Sequence, residues 1–186
     1  MKNIPIIGAN GSLARTVIAT AERHPDFNLT LFARRIPRHA GKHRVIIGDA
    51  RNPADLQAAM QGQDIVYVNL AGDLAAMGAN IVAAMQAAGV RRVIAVASIG
   101  IYDEPLREIL RPYRALADLI EKSGLDYTIL RPDWFTDADE INYQLTPKGQ
   151  PETGSAVSRK SIADFVCKLF ANPELHIGKN LNISKL

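Results

Sequence analysis

The stretch from Ile4 to Ala14 reads IPIIGANGSLA, and it decides the fold: an apolar run, a glycine-rich loop and the start of an amphipathic segment. The near-continuous apolar run predicts a buried parallel strand, because such strands are covered on both faces. Small residues in the pattern G-x-x-G-x-x-A let the backbone turn tightly and approach a pyrophosphate, which then meets the amides of a helix N-terminus. The stretch predicts a strand–loop–helix unit that binds a dinucleotide. Taken alone, it also fits a plain glycine-rich turn.

The same alternation of strands and helices continues along the chain. Strands are predicted at seven apolar runs: Ile4–Ile7, Leu29–Ala33, Val45–Ile47, Ile65–Val68, Val93–Ala97, Tyr127–Leu130 and Leu181–Ile183. Helices are predicted over Leu13–Arg23, Pro53–Met60, Leu74–Ala88, Leu106–Lys122 and Ile162–Ala171, the last beginning at a capping-box pattern led by Ser161. This order predicts an α/β fold: a single Rossmann-type domain over residues 1–186 with a doubly wound parallel sheet. Residues 135–158, rich in proline and glycine, predict a loop or hairpin excursion on the substrate side.

Composition narrows the class of protein. A length of 186 residues with 47% hydrophobic residues is typical of one soluble globular domain and excludes a disordered chain. The lone Cys167 favours a reducing compartment, and no apolar stretch has the length of a signal peptide or a membrane span, so a cytoplasmic location is expected. The four histidines lack ligand spacing, so no metal is expected. The net charge of +3 does not by itself indicate nucleic acid, because proteins that bind polyanions usually concentrate their basic residues in a patch. In the basic segment Arg34–Arg44 no aromatic residues interleave with the charges.

Candidate cofactor-binding residues follow the ends of the predicted strands, because ligands of such sheets bind beyond the carboxyl ends of the strands. They are Gly8, Asn10, Gly11, Ser12 and Leu13 after the first strand, Arg34 and Arg35 after the second, Asp49 after the third, Asn69, Leu70 and Ala71 after the fourth, and Ser98 after the fifth. Asp49 suits either an adenine amino group or a turn before Pro53. Ser98 suits a substrate carbonyl, the nicotinamide amide or a strand cap.

Two arginines follow the second strand, where a site selective for NAD carries an acidic residue. Arg34 and Arg35 instead suit the 2′-phosphate of NADP, since a guanidinium grips a phosphate with paired hydrogen bonds. NADP(H) is therefore the expected cofactor. The alternative is a solvated basic loop, because the segment Arg34–Arg44 holds several basic residues and no acid.

Five motifs together carry a resemblance to a known family. They are the loop Gly8–Ala14, the pair Gly48-Asp49, the stretch Val93–Gly100, Ser123–Pro132 (SGLDYTILRP) and Ser158–Phe165 (SRKSIADF). Over essentially its whole length the chain resembles an atypical short-chain dehydrogenase/reductase of the NmrA-like group, whose members bind NAD(P)H. The resemblance implies that Pro132 passes beside the nicotinamide and that the following segment forms the substrate pocket. Trp134 and Phe135 then suit a pocket wall or the core.

The catalytic residues depart from the wider superfamily, which pairs a tyrosine with a lysine four residues on. The candidates are Ser98 and Tyr113, but Ala117 stands four residues after Tyr113, and a one-residue gap would put Arg114 at the lysine position. Members of the group that resemble biliverdin and flavin reductases also lack the pair. They work mainly by positioning an acceptor over the nicotinamide.

The expected function is an NADPH-dependent oxidoreductase that reduces a small organic acceptor (quinone, flavin or carbonyl) by hydride transfer, without a tyrosine–lysine pair. The alternative is a non-catalytic regulatory protein that senses NADP(H). The substrate is expected to be a small molecule, with no nucleic-acid or membrane partner. The apolar stripes of Leu74–Ala88 and Leu106–Lys122 suit either the core or the face of a homodimer.

Overall fold

The computed structural model describes residues 1–186 and contains ten strands and five helices. The strands are β1 (Lys2–Ile7), β2 (Phe27–Ala33), β3 (Arg44–Ile47), β4 (Ile65–Val68), β5 (Arg92–Val96), β6 (Asp126–Pro132), β7 (Phe135–Thr136), β8 (Gln144–Pro147), β9 (Val157–Ser158) and β10 (Lys179–Ser184). The helices are α1 (Ser12–Ala21), α2 (Pro53–Met60), α3 (Leu74–Ala88), α4 (Arg111–Glu121) and α5 (Arg159–Ala171). All seven predicted strands are present.

Eight strands form one sheet in the order β3-β2-β1-β4-β5-β6-β10-β8. The strands from β3 to β10 pair in parallel, and only β8 runs antiparallel, against β10. The strand order reverses direction between β1 and β4, which is where doubly wound sheets bind their ligands. The predicted Rossmann-type α/β fold is confirmed.

Helices cover both faces of the sheet and create two cores. On one face α1 and α5 pack over the strands and bury Leu13, Val17 and Phe170. On the other face α2, α3 and α4 bury residues such as Leu56 and Ile81. Because both faces are covered, the central strands read as continuous apolar runs in the sequence.

Local signals explain most helix boundaries. The side chain of Asn52 accepts a hydrogen bond from the amide of Ala54 at the start of α2, and Pro53 occupies the first turn. Asp73 caps α3 in the same way. At the other end of α3, Gly89 adopts φ +71°, the left-handed conformation that glycine tolerates best.

Two helices begin at other residues than predicted. The helix expected from Leu106 begins only at Arg111, after a short 3-10 turn over Glu108–Leu110. Pro112 then lies in the first turn of α4, where a missing amide proton has no cost. The final helix begins at Arg159 rather than after Ser161, because the hydroxyl of Ser158 accepts the capping hydrogen bond from the amide of Ser161 at 2.9 Å.

Residues 135–158 are neither a simple loop nor a hairpin. β7 pairs in parallel with β9 as a small separate ribbon. Between them the chain leaves to add β8 to the edge of the main sheet. The segment starts beside the carboxyl end of β6 and returns to it, so it borders the edge where ligands bind.

The apolar stripes of α3 and α4 are accounted for by the fold. Both helices contribute buried side chains to the same core, including Met77, Met85 and Leu116. The large hydrophobic side chains that remain exposed lie on other elements. No helix combines the length and apolar character needed to span a bilayer.

Candidate functional site

A cleft of about 860 Å³ opens along the carboxyl ends of the parallel strands. All the cofactor-binding, catalytic and pocket residues predicted from the sequence line this cleft: Gly8, Asn10, Gly11, Ser12, Leu13, Arg34, Arg35, Asp49, Asn69, Leu70, Ala71, Ser98, Tyr113, Pro132, Trp134 and Phe135. Residues separated by more than a hundred positions in sequence therefore share one site. The crossovers between strands produce this result, since parallel strands deliver their carboxyl ends to one edge.

The glycine-rich loop forms the middle of the cleft. Gly8 has φ +95°, and its amide donates a 3.0 Å hydrogen bond to the carbonyl of Phe32 at the end of β2. A Cβ atom at this position would stand 2.1 Å from the backbone oxygen of Asn69, so only glycine fits between β1 and β4.

The N-terminus of α1 fits a pyrophosphate. Gly11 is its N-cap residue in extended conformation, and it has no side chain to satisfy the first amides. The first turn also contains no acidic residue that would repel an anion. A Cβ on Gly11 would lie near Asn69 Nδ2 at 3.6 Å, so the absence of a side chain keeps the approach to the amides open.

Three arginines gather at the end of the cleft beside β2 and β3. Arg34 and Arg35 are exposed and form no ion pair with any other residue of the chain. The side-chain amide of Asn10 donates to the carbonyl of Arg35 at 2.9 Å, which holds the basic loop against the glycine-rich loop. This end of the cleft carries the positive charge that a 2′-phosphate requires.

Asp49 is held by the third of these arginines, which the sequence analysis missed. Arg51 Nη2 lies 2.6 Å from Asp49 Oδ2, and the backbone amide of Arg51 donates to Asp49 Oδ1 at 2.9 Å. These hydrogen bonds, with a smaller effect of burial in the opposite direction, lower the pKa of Asp49 to about 2. Asp49 therefore meets a ligand as part of an ion pair. The only sequence signal for Arg51 was its spacing of two residues from the aspartate.

The opposite end of the cleft brings together the ends of β5 and β6. The amide of Ile99 donates to the carbonyl of Pro132 at 3.0 Å, so the turn after β5 is fixed against the residue predicted to face the nicotinamide. The half-buried hydroxyl of Ser98 donates to the carbonyl of Ile99 at 3.1 Å. From the far side, the carboxylate of Glu152 accepts from the amide of Gly100 at 3.0 Å and pairs with the buried Arg131. Ser98 thus lies on a turn held from both sides.

Tyr113 lines the cleft, and no lysine is among the residues that line it. Ala117, four residues on, is completely buried. Arg114 does not replace the lysine, because its guanidinium forms an ion pair with Asp118 at 2.9 Å and donates to the carbonyl of Ile101 at 3.1 Å. Arg107 is instead the arginine that lines this end of the cleft.

Tyr102 lies outside the cleft. Its hydroxyl accepts a 2.7 Å hydrogen bond from Asn180, and Lys148 Nζ lies 4.4 Å from the centre of its ring. Burial is the main cause that raises the pKa of Tyr102, with a smaller effect of Glu121. Tyr102 belongs to a polar network with Asn180, Glu121 and Lys148 outside the cleft, so it is not placed to donate a proton to a ligand.

The mouth of the cleft is apolar and open. Trp134 is 84% exposed and Ile109 75% exposed, values that are unusual for such large hydrophobic side chains. Both line the cleft together with Phe135, Arg107 and Asp133. No sequence pattern points to Arg107 or Ile109, because the sequence predicts a helix for the segment before α4. An exposed apolar wall at a cleft mouth indicates a surface for a ligand with a flat or apolar body.

The sequence matches the profile of the NAD(P)H-binding family over residues 8–173, a span that includes every residue lining the cleft. The chain belongs to the NAD(P)H-binding family. Its predicted nicotinamide dinucleotide cofactor is thereby confirmed at the level of the family, and the backbone cradle at Gly8 and Gly11 fits such a molecule.

Several proteins of known structure or curated sequence are similar to this NAD(P)H-binding protein. A Rossmann-fold NAD(P)-binding family protein from Shigella flexneri is 46% identical, with 100% of this chain and 94% of that chain covered and a TM-score of 0.90. A short-chain dehydrogenase/reductase from Veillonella parvula DSM 2008, in complex with NADP, is 26% identical, with 99% and 94% covered and a TM-score of 0.90. The uncharacterized sugar epimerase YhfK of Bacillus subtilis (strain 168) is 28% identical, with 84% of this chain and 78% of that protein covered. The predicted kinship with atypical short-chain dehydrogenase/reductases is confirmed.

Proposed function

We propose that this NAD(P)H-binding protein is an NADPH-dependent oxidoreductase that reduces a small organic acceptor. The observation that carries the proposal is the continuity of the cleft, which joins a phosphate-binding loop at Gly8–Ala14 to an apolar mouth at Trp134. Such a cleft accommodates a dinucleotide and a second molecule at one end of it. The Veillonella relative described in complex with NADP supports the same cofactor here.

The choice of NADP(H) over NAD(H) rests on charge. Arg34 and Arg35 line the cleft and form no ion pair, whereas Arg51 is paired with Asp49. The hydrogen bonds that the Asp49 carboxylate accepts come from Arg51 and are the main cause of its lowered pKa, to which the charge of the nearby Arg34 adds a smaller effect. A 2′-phosphate would therefore meet two free guanidinium groups, each able to donate paired hydrogen bonds. The unmodified 2′-hydroxyl of NAD would leave both of them without a partner.

A bound reduced nicotinamide supplies the hydride in this proposal. The chain contributes position: Gly8 and Gly11 give the backbone approach, and the hydrogen bond from Ile99 to Pro132 holds the two loops beside which the ring would lie. Trp134 and Ile109 provide an apolar wall that excludes water from one side of the acceptor. Quinones and flavins suit this site, because hydride transfer to them leaves a delocalised anion that takes its proton from water. A carbonyl compound would leave an alkoxide, which would have to take its proton from water at the open mouth of the cleft.

A second candidate function is a binding protein that senses NADP(H) and catalyses nothing. One observation favours it: Tyr113 lines the cleft with Ala117 in place of the lysine, and Arg114 is engaged by Asp118. A site without a poised proton donor binds a dinucleotide as well as one that has it.

Steady-state oxidation of NADPH distinguishes the two candidates. The purified protein is mixed with NADPH and with a panel of quinones, flavins and aldehydes, and the loss of absorbance at the nicotinamide band is followed. Saturable turnover with any acceptor supports the oxidoreductase. Binding of NADPH without turnover across the panel supports the sensor, and failure to bind NADPH contradicts both.

A further inference from the structure

Arg159 lies at the back of the glycine-rich loop, although it comes nearly 150 positions later in the chain. It is the first residue of α5, in the SRKSIADF motif, and α5 packs directly on α1. Its Nε atom lies 3.3 Å from the hydroxyl of Ser12, and its guanidinium carbon lies 5.3 Å from the centre of the Phe135 ring. Ser12 and Phe135 both line the cleft. The guanidinium therefore stands between the predicted phosphate site and the wall of the acceptor end.

The cations inside the cleft leave its middle without positive charge. Arg34, Arg35 and Arg51 belong to the end beside β2 and β3, and Arg107 belongs to the opposite end. Between them, the loop Gly8–Ala14 contains no charged residue at all. A dinucleotide would nonetheless bring its pyrophosphate, with two negative charges, to this middle section.

The charged groups that face Arg159 are few. Asp137 Oδ1 lies 2.7 Å from Arg159 Nη1, and the Asp137 side chain is 93% exposed. Arg15 lines the same shallow groove, which meets the cleft at Ser12. An ion pair with one fully solvated partner stabilises a fold only slightly, so its arginine is available for a stronger anion.

We propose that Arg159 binds the pyrophosphate of the dinucleotide next to Ser12 and exchanges its contact with Asp137 for that phosphate. The inference rests on the cofactor part of the proposed function and not on turnover. A phosphate oxygen at the N-terminus of α1 would lie beside the Ser12 hydroxyl, which Arg159 already touches. Each phosphate of the pyrophosphate has two non-bridging oxygens, and the planar guanidinium can donate a pair of parallel hydrogen bonds to them.

Arg159 and the pair Arg34 and Arg35 therefore have separable roles. The pyrophosphate is common to NADPH and NADH, so Arg159 should contribute equally to both. Arg34 and Arg35 should contribute to NADPH alone. Asp137 should weaken both cofactors, because its carboxylate competes with the phosphate for the same guanidinium.

Calorimetric titration of the full chain with four ligands tests this role. Arg159→Ala should weaken NADPH, NADH and ADP-ribose by a common factor of about ten, in line with a charged hydrogen bond. Adenosine 2′-monophosphate, which has no pyrophosphate, should bind as it does to the unaltered protein. Asp137→Asn should tighten the three pyrophosphate ligands. Lys160→Ala is the matched control, since Lys160 is the adjacent cation, pairs with Asp139 and makes neither the contact with Ser12 nor the contact with Phe135 that Arg159 makes.

The outcomes decide between a binding role and a structural one. Unchanged affinity for all ligands in Arg159→Ala overturns the proposal, and so does an equal loss for adenosine 2′-monophosphate. If Arg159→Ala fails to fold in thermal unfolding, Arg159→Lys and Asp137→Asn carry the test. The lysine variant should then weaken the pyrophosphate ligands selectively, and unchanged affinities in both variants overturn the proposal. The titrations measure affinity, so their result does not depend on whether the protein turns over NADPH.

Discussion

Gly8 stands directly against the backbone of Asn69: a Cβ on Gly8 would lie 2.1 Å from the carbonyl oxygen of Asn69. The two residues directly follow β1 and β4, the neighbouring strands at which the order of the sheet reverses. The amide of Asn69 in turn donates to the carbonyl of Ile7 at 3.0 Å. The close approach of these two strand ends shapes the floor of the cleft and permits no side chain at position 8.

Replacing Gly8 by alanine should destabilise the protein more than an ordinary glycine substitution. The new methyl group would meet a backbone oxygen that cannot move aside, in addition to the strain of φ +95°. We expect a loss of about 3 kcal/mol or more in the free energy of unfolding, measured by urea denaturation. The control is Gly62→Ala, where φ is +68° but nothing lies within 4 Å, so a loss of about 1–2 kcal/mol is expected. Similar losses in the two variants would show that the contact with Asn69 is unimportant.

Gly11→Val should weaken binding of NADPH while the fold is retained. The backbone at Gly11 has φ −64°, which any residue adopts, and a Cβ there meets nothing closer than 3.4 Å. The branched side chain would nevertheless occupy the approach to the first amides of α1. We expect affinity to fall at least tenfold, or about 1.4 kcal/mol. Ala19→Val, on an exposed position of the same helix outside the cleft, should bind NADPH normally. Normal binding by the Gly11 variant would place the pyrophosphate elsewhere.

Arg34→Ala combined with Arg35→Ala should weaken NADPH and leave NADH nearly unchanged. The partly exposed arginine–phosphate contact as a whole is worth about 1.5–3 kcal/mol, so a loss of about ten- to a hundredfold is expected. The contact should also weaken with added salt, since both arginines are exposed. The control is Arg38→Ala combined with Lys42→Ala. It removes two positive charges from the same connection between β2 and β3, at positions that do not line the cleft. A parallel loss for both cofactors would show that Arg34 and Arg35 do not read the 2′-phosphate.

Tyr113→Phe should reduce turnover only modestly. No lysine lines the cleft beside the phenol, and Arg114 is engaged by Asp118. We expect a rate loss of less than about a hundredfold, the lower end for removal of a general acid. The measurement is kcat for the best acceptor of the panel, together with NADPH affinity. A loss of three orders of magnitude at unchanged affinity would make Tyr113 the proton donor.

Cys167 should be inert in the folded protein. Its side chain is 3% exposed on the inner face of α5, and burial, with a smaller effect of Asp164, raises the pKa of the thiol to about 12. Because the thiolate is the reactive form, the thiol should not react with a disulfide reagent at pH 8. In urea, one thiol per chain should react at once. Reaction of the native protein at the rate of the unfolded chain would contradict the assignment of Cys167 to the core.

Much of the fold could be predicted from the sequence, because the patterns that indicate strands and helix ends are local. The seven apolar runs predicted seven strands, since a strand covered on both faces is mostly apolar. Asn52 before Pro53 and Gly89 after Ala88 marked helix ends through chemistry confined to one turn. The structure of residues 135–158 was harder to predict, because β8 pairs with β10 and β7 pairs with β9, partners that are far away in the sequence.

The sequence shows which strand ends bear small, polar or basic residues, and hence where the cleft lies, because parallel strands deliver their carboxyl ends to one edge of the sheet. Which of those side chains can contact a ligand depends on the contacts that they make within the folded chain. The tertiary structure paired Asp49 with Arg51, engaged Arg114 with Asp118, and brought Arg159 beside Ser12. Asp49 and Arg51 are neighbours in one loop, and Arg114 and Asp118 are one turn apart on α4, but the sequence offers each of them other partners as well. The contact of Arg159 with Ser12 joins two helices that are far apart in the chain. A linear pattern does not record the distances of a few ångströms that select these contacts.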